Sequence, residues 1–212
     1  MGLVEVHAHV LPFVDDGVKS KEQASAVYEA YAQAGFSDIV TTVHLYNPYV
    51  HTRTEHIRPM FEWAFEEAQK QGVKLHLGSE TYIGSVSDPQ TIPFLGNCVL
   101  LETDYYTEPL YLPHLTYSLS KRGQTVILAH VERYQWLKIS SDIAKTLKET
   151  GVLFQCNVSG VLGGQCNSYL EAGMVDILAS DNHGDLELPQ KLAQLLQRYP
   201  QIKQKMENVF RV

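Results

Sequence analysis

The sequence predicts an α/β protein built on a parallel sheet covered by helices, and three observations predict it. Short β-branched or aliphatic runs alternate with segments of helical period. Seven such runs fit into 212 residues, which is about 30 residues per unit and matches a βα repeat. The runs are nearly all apolar, as strands buried on both faces must be. A doubly wound sheet and a closed β/α barrel satisfy these facts equally, so periodicity leaves the choice open.

The elements follow in order. The first strand candidate is Leu3–His7. A helix opens at Ser20, which with Gln23 forms a capping box. Its face is Val27, Ala30, Tyr31 and Ala34, and Gly35 stops it. The strand candidate Asp38–Val43 precedes a helix from about Thr54 to Gly72, striped by Phe61, Ala64, Phe65 and Ala68. Strand candidates Val73–Leu77, Cys98–Glu102 and Thr125–Ala129 come next. A helix near Ser141 stops at Gly151, strands are expected at Leu153–Asn157 and Val175–Ser180, and a helix over Leu188–Arg198 ends before Pro200. There is no linker, low-complexity stretch or repeat, so residues 1–212 read as a single domain.

Composition excludes several classes. With 24 acidic against 17 basic side chains the formal net charge is −7, which lacks the basic face that nucleic-acid binding needs. No run of 18 apolar residues exists to span a membrane. A strand-like run begins within three residues, leaving no room for a signal peptide, and Val6 breaks the myristoylation pattern. A cytoplasmic address is expected. Three cysteines, Cys98, Cys156 and Cys166, are too few and too scattered for a disulfide framework. A cysteine-based phosphatase needs Arg six positions after its nucleophile, to hold phosphate beside the thiolate. Asp104, Leu162 and Ala172 stand there instead, which excludes that mechanism.

Nine histidines sit oddly in this acidic chain. Strand one ends in His7-Ala8-His9 with Asp15-Asp16-Gly17 following, strand two in His44, strand three in Glu80 and strand four in Glu102. His130 follows strand five, and Asp181-Asn182-His183 follows strand seven. In parallel β/α folds the C-terminal strand edge is where sites are built. One polar residue there is ordinary loop chemistry. Four carboxylates gathered at one edge repel unless cations neutralise them. His-x-His on a strand points both imidazoles to one face. Imidazole and carboxylate donors without thiolates suit Zn²⁺, Fe²⁺ or Mn²⁺ at a catalytic centre more than a structural zinc. His51, His56, His76 and His114 lack this placement, although His51 follows strand two near the candidate site.

The pattern His7-x-His9, Asp15-Asp16-Gly17, His44, Glu80, Glu102, His130-Val131-Glu132-Arg133-Tyr134 and Asp181-x-His183 resembles the PHP superfamily. Within it, the chain is similar to the bacterial manganese-dependent tyrosine phosphatases linked to capsule and exopolysaccharide synthesis. The resemblance implies a distorted (β/α)7 barrel and three divalent ions, manganese before iron(II) or zinc. One ion would take His7, His9, Glu80 and Asp181; a second Glu80, Glu102 and His130; a third Asp16, His44 and His183. It implies phosphomonoester hydrolysis by a metal-bound hydroxide, with Arg133 clamping phosphate. Leu188 stands where the family usually carries a further clamping Arg, the 157–175 segment is shorter than usual, and Leu45 replaces a basic residue after His44. Arg53 is therefore the candidate replacement clamp. Tyr46, Tyr49, Tyr105, Tyr106 and Tyr111 are candidate walls for a phenyl ring. The implied partner is a phosphotyrosine protein, such as an autophosphorylated bacterial tyrosine kinase. The alternatives are a small-molecule phosphatase of the histidinol-phosphate type and a metal-binding interaction module with little turnover. A PHP-type nuclease is disfavoured by the acidic charge.

Overall fold

The structure is a computed structural model that describes residues 2–84 and 89–210. Strands β1 (Leu3–Ala8), β2 (Phe36–Leu45), β3 (Lys74–Tyr82), β4 (Cys98–Glu102), β5 (Thr125–Leu128), β6 (Leu153–Asn157) and β7 (Ile177–Ala179) lie side by side in chain order. Every neighbouring pair is parallel. The first strand then meets the chain leaving the last one. Asp181 N–H donates to His7 O and His9 N–H to Asn182 O, both at 2.8 Å. That seam decides between the two architectures, and the fold is a seven-stranded barrel.

Helices α1 (Lys21–Gln33), α2 (Thr54–Lys70), α3 (Leu112–Lys121), α4 (Asp142–Glu149), α5 (Val158–Leu162), α6 (Asn167–Glu171), α7 (Leu188–Arg198) and α8 (Pro200–Val209) accompany the strands. Ser20 caps α1 by accepting from Gln23 N–H at 3.1 Å, a bond worth about 1 kcal/mol. The expected reciprocal bond is displaced by one residue, because Gln23 Oε1 accepts from Lys19 N–H. Gly35 leaves α1 at a φ of +89°, a left-handed conformation that suits glycine. Ala64 and Ala68 of the α2 stripe are fully buried against the sheet, with Phe61 and Phe65 packed beside them. Pro200 corrects one expectation. It does not merely follow a helix end but occupies the first turn of α8, where its missing N–H costs nothing.

Strand β1 carries an extra residue. Glu5 pairs with Ile39 and Ala8 with Thr41, so three steps in β1 match two in β2. The N–H groups of Val6 and His7 turn instead to Glu5 Oε1, at 2.8 and 2.9 Å. Glu5 Oε2 accepts from Ser180 N–H and Tyr31 O–H, each at 3.1 Å. This fully buried carboxylate stitches β1 to the chain beyond β7. Burial pushes its proton affinity up, against the hydrogen bonds that favour its charge.

Candidate metal centre

Six strands bring their polar ends to one mouth of the barrel. His7 lies on β1 and His9 just past it, His44 on β2, Glu80 on β3 and Glu102 at the end of β4. His130 follows β5, and Asp181 and His183 follow β7. His130 and Asp181 leave their strands at φ values of +29° and +53°. Non-glycine residues hold such angles at a cost of about 1–3 kcal/mol each, which packing at the barrel mouth offsets.

The donor atoms converge. His7 Nε2 and His9 Nε2 are 3.3 Å apart. They lie 3.3 and 3.2 Å from Glu80 Oε2, and 3.4 and 3.5 Å from Asp181 Oδ1. On one side, His130 Nε2 stands 2.8 Å from Glu80 Oε1 and 3.5 Å from Glu102 Oε1. On the other, Asp16 Oδ1 is 3.4 Å from both His44 Nε2 and His183 Nε2. His9 also joins this last group, and His44 Nδ1 reaches to 3.2 Å from Glu80 Oε2. All nine residues singled out in the sequence therefore meet.

Polar residues outside the nine orient these donors. Asp15 Oδ2 is 3.1 Å from His9 Nδ1, which leaves Nε2 facing the centre. Gln155 Oε1 does the same for His7 Nδ1 at 3.1 Å and accepts from His130 N–H at 2.8 Å. Gln155 in turn donates to Asn157 Oδ1, and Asn157 Nδ2 donates to Asp181 Oδ2 at 2.9 Å. Strand β6, which sends no donor to this centre, supplies two of the supports, Gln155 and Asn157. Asn47 Nδ2 and Tyr105 O–H hold the two oxygens of Glu102.

Among the protein groups themselves, imidazoles carry the balancing charge. Burial opposes protonation of His7, yet Glu80 and Asp181 outweigh it and push its pKa up to about 9. Burial likewise opposes His9, and Asp15 with Glu80 raises it well above the usual value. Glu80, despite burial, is held well below the usual carboxylate range by His7 and His130. Glu102 is pushed up by its burial and by Glu80 beside it. A cation entering the centre would displace these protons.

A cavity of about 530 Å³ opens over the centre. Arg133 lines it and donates to Asp181 Oδ2 at 2.7 Å, leaving Asp181 Oδ1 to face the imidazoles. Tyr49, Tyr105 and Tyr106 form its aromatic walls together with Tyr82, which the sequence did not single out. Tyr46 and Tyr111 are not lining residues, and Tyr111 instead donates to the carbonyls of Ile83 and Gly84. The expectation for Arg53 needs correction. It is exposed just before α2, with its N–H tied to Val14 O, and it does not line the cavity. His51 is absent from the lining too, and His76 pairs with Asp38 at 2.7 Å away from the mouth.

A family described as capsular polysaccharide synthesis, CpsB/CapC, matches residues 3–210. The chain is 24% identical over 196 residues to the tyrosine-protein phosphatase YwqE of Bacillus subtilis (strain 168), covering 85% of this chain and 77% of that protein. It is 27% identical over 213 residues to the putative tyrosine-protein phosphatase CapC of Staphylococcus aureus, covering 91% and 82%. Among solved structures, it superposes with a TM-score of 0.80 on a chain from the crystal structures of YwqE from Bacillus subtilis and CpsB from Streptococcus pneumoniae, described as unique metal-dependent tyrosine phosphatases. That match is 20% identical and covers 99% of this chain and 94% of the other. The phosphotriesterase homology protein of Escherichia coli matches with a TM-score of 0.55 at 12% identity, covering 96% and 91%, a likeness of fold alone.

Proposed function

The chain belongs to the CpsB/CapC capsular polysaccharide synthesis family, and from that premise we propose that it is a metal-dependent phosphatase removing phosphate from tyrosine in protein substrates. The spacing of four donor atoms carries this reading furthest. Donors held at about 2.0–2.2 Å from one ion in a tetrahedral arrangement stand about 3.3–3.6 Å from each other. His7, His9, Glu80 and Asp181 are 3.2–3.5 Å apart in the pairs given above. His44 Nδ1 is buried without a hydrogen-bond partner, 3.2 Å from Glu80 Oε2, while its Nε2 faces Asp16, so both ring nitrogens point at donors of the centre.

In this proposal the same residues are divided among three ions, with His7, His9, Glu80 and Asp181 on one, Glu80, Glu102 and His130 on a second, and Asp16, His44 and His183 on a third. Manganese is the ion proposed. Bound divalent ions supply Lewis acidity and lower the pKa of water they hold to about 7. The chain's own groups do the rest. Arg133 keeps its charge at any working pH, because Asp181 and Tyr105 offset the burial that would oppose it. It grips phosphate oxygens through its planar donor fork. Tyr49, Tyr105 and Tyr106, which line the cavity, offer the phenyl ring apolar faces to pack against. No cysteine lines the cavity, so the side chains offer no thiolate nucleophile.

The proposed physiological partner is a phosphotyrosine protein of the autophosphorylated bacterial kinase type, met in the cytoplasm, where three unpaired thiols would persist. Among the described residues no helix is long and apolar enough to cross a membrane. The test is purified protein supplied with Mn²⁺ and offered phosphotyrosine peptide, phosphoserine peptide and histidinol phosphate, with elemental analysis alongside. Turnover of the phosphotyrosine peptide that a chelator abolishes is expected. Turnover confined to histidinol phosphate moves the enzyme to small-molecule metabolism, and no turnover of any ester with three ions bound ends the enzymatic reading.

A further inference from the structure

A second group of metal-ligating side chains lies behind the centre and shares no donor with it. Cys156 on β6, Cys166 at the start of α6 and Glu132 in the 3-10 turn Val131–Arg133 place their ligand atoms within 4.8 Å of one another. Both cysteines are fully buried. Buried thiols alone are common core fillers. Glu132 is not explained that way. Its Oε1 accepts from Asn157 N–H at 3.1 Å, while its Oε2 is buried with no hydrogen-bond partner. Gly160 closes over the carboxylate so tightly that an added Cβ would stand 2.6 Å from Glu132 Oε1. The backbone of Gly160 also accepts from Cys166 N–H, at 3.2 Å. A cavity of about 400 Å³, lined by Glu132, Gly160 and Gln165 and sharing Tyr105 and Arg133 with the one over the centre, adjoins Glu132.

We propose that Cys156, Cys166 and Glu132 form a further metal site for one thiophilic divalent cation of the zinc type. Two thiols and a carboxylate make a soft, negatively charged donor set, unlike the nitrogen and oxygen donors at the barrel mouth. Sulfur ligands about 2.3 Å from a tetrahedral ion stand about 3.8 Å apart, within the separation observed. Binding releases the thiol protons to solvent, and water entering from the adjoining cavity fills the fourth position. The site has a structural consequence for its neighbour. Asn157 follows Cys156 and Arg133 follows Glu132, and both donate to Asp181 Oδ2. An ion here fastens the two residues that hold Asp181.

The test uses the manganese-loaded protein under a phosphine reductant, titrated with Cd²⁺ and followed in the ultraviolet. Only thiolate ligation yields a sulfur-to-cadmium charge-transfer band, so filling of the barrel mouth is silent. The expected band saturates at one ion per chain and disappears in Cys156→Ser/Cys166→Ser. It survives in Cys98→Ser, and Glu132→Gln weakens the affinity about tenfold. Circular dichroism and thermal unfolding establish that each variant is folded. A folded wild type with no band overturns the proposal, as does a band that Cys98→Ser removes. Two thiols of the three already joined as a disulfide before reduction overturn it too.

Discussion

The two halves of the barrel hold their side chains by different means. Strands β2 and β3 stay in register from Asp38 opposite Lys74 to Leu45 opposite Thr81, and carry His44 and Glu80 on that ladder. Strands β5 and β6 pair only at Ile127 opposite Leu153 and Leu128 opposite Phe154, and β7 is three residues long. On the well-paired side, donor positions follow from the backbone. On the thinly paired side, a chain of buried amides does that work, from Gln155 to Asn157 to Asp181. A barrel can therefore carry an accurate centre on weak pairing if polar side chains take over the positioning, at the cost of strained residues such as His130 and Asp181.

The largest expected break comes from the donor at the meeting of the two halves. His9→Ala should lower kcat/KM by about 10³-fold, about 4 kcal/mol, with a loss of bound metal by elemental analysis. Retained activity would show that His9 is no ligand. Next is the charge on His7, which faces Glu80 on one half and Asp181 on the other. Its folded pKa of about 9 lies above the usual 6.5. The sign follows from the raised value: protonated His7 stabilises the metal-free fold fully below pH 6.5, and this is lost as pH rises through about 9. Thermal unfolding of chelated protein from acid to alkali should lose about 3 kcal/mol across that window. Metal affinity should rise over the same interval, because fewer protons must leave. A flat profile would remove His7 from the balance.

The comparison itself is sharpened by Gln155→Leu, which keeps volume but cuts the amide chain. Metal affinity should fall by about 10–100-fold, more than for a conservative change on the well-paired side such as Thr41→Val, whose hydroxyl has no partner. Equal effects would mean that the halves do not differ. The smallest effect belongs to Ser20→Ala, which removes the α1 cap and should cost about 1 kcal/mol in denaturant unfolding, with kcat unchanged.

Much of this was legible in the chain. Cys98–Glu102 and Leu153–Asn157 emerge with the bounds their apolar runs suggest, since each is bracketed by turn residues. Strands β2 and β3 run further than expected because their ends, through Leu45 and Tyr82, are polar or mixed yet still paired. Helices α3, α5, α6 and α8 escaped notice, α5 and α6 for being five residues long and α8 for opening on a proline. The ligand candidates stood out because imidazoles and carboxylates at strand ends are unusual chemistry. Gln155 did not, because a lone amide in an apolar strand has no meaning until its partner His7, 148 positions away, is beside it. Arg53 shows the opposite failure, since a loop position near the site says nothing of direction.

The seam between β1 and the chain beyond β7 has a consequence for synthesis. Residues 9 and 182, joined there by a backbone bond, leave the ribosome about 9–35 s apart at a translation rate of about 5–20 residues per second. Throughout that interval the nascent chain holds His7, His9 and the carboxylate of Glu5 without their final partners. Prematurely terminated chains therefore lack the closing segment and cannot assemble the centre.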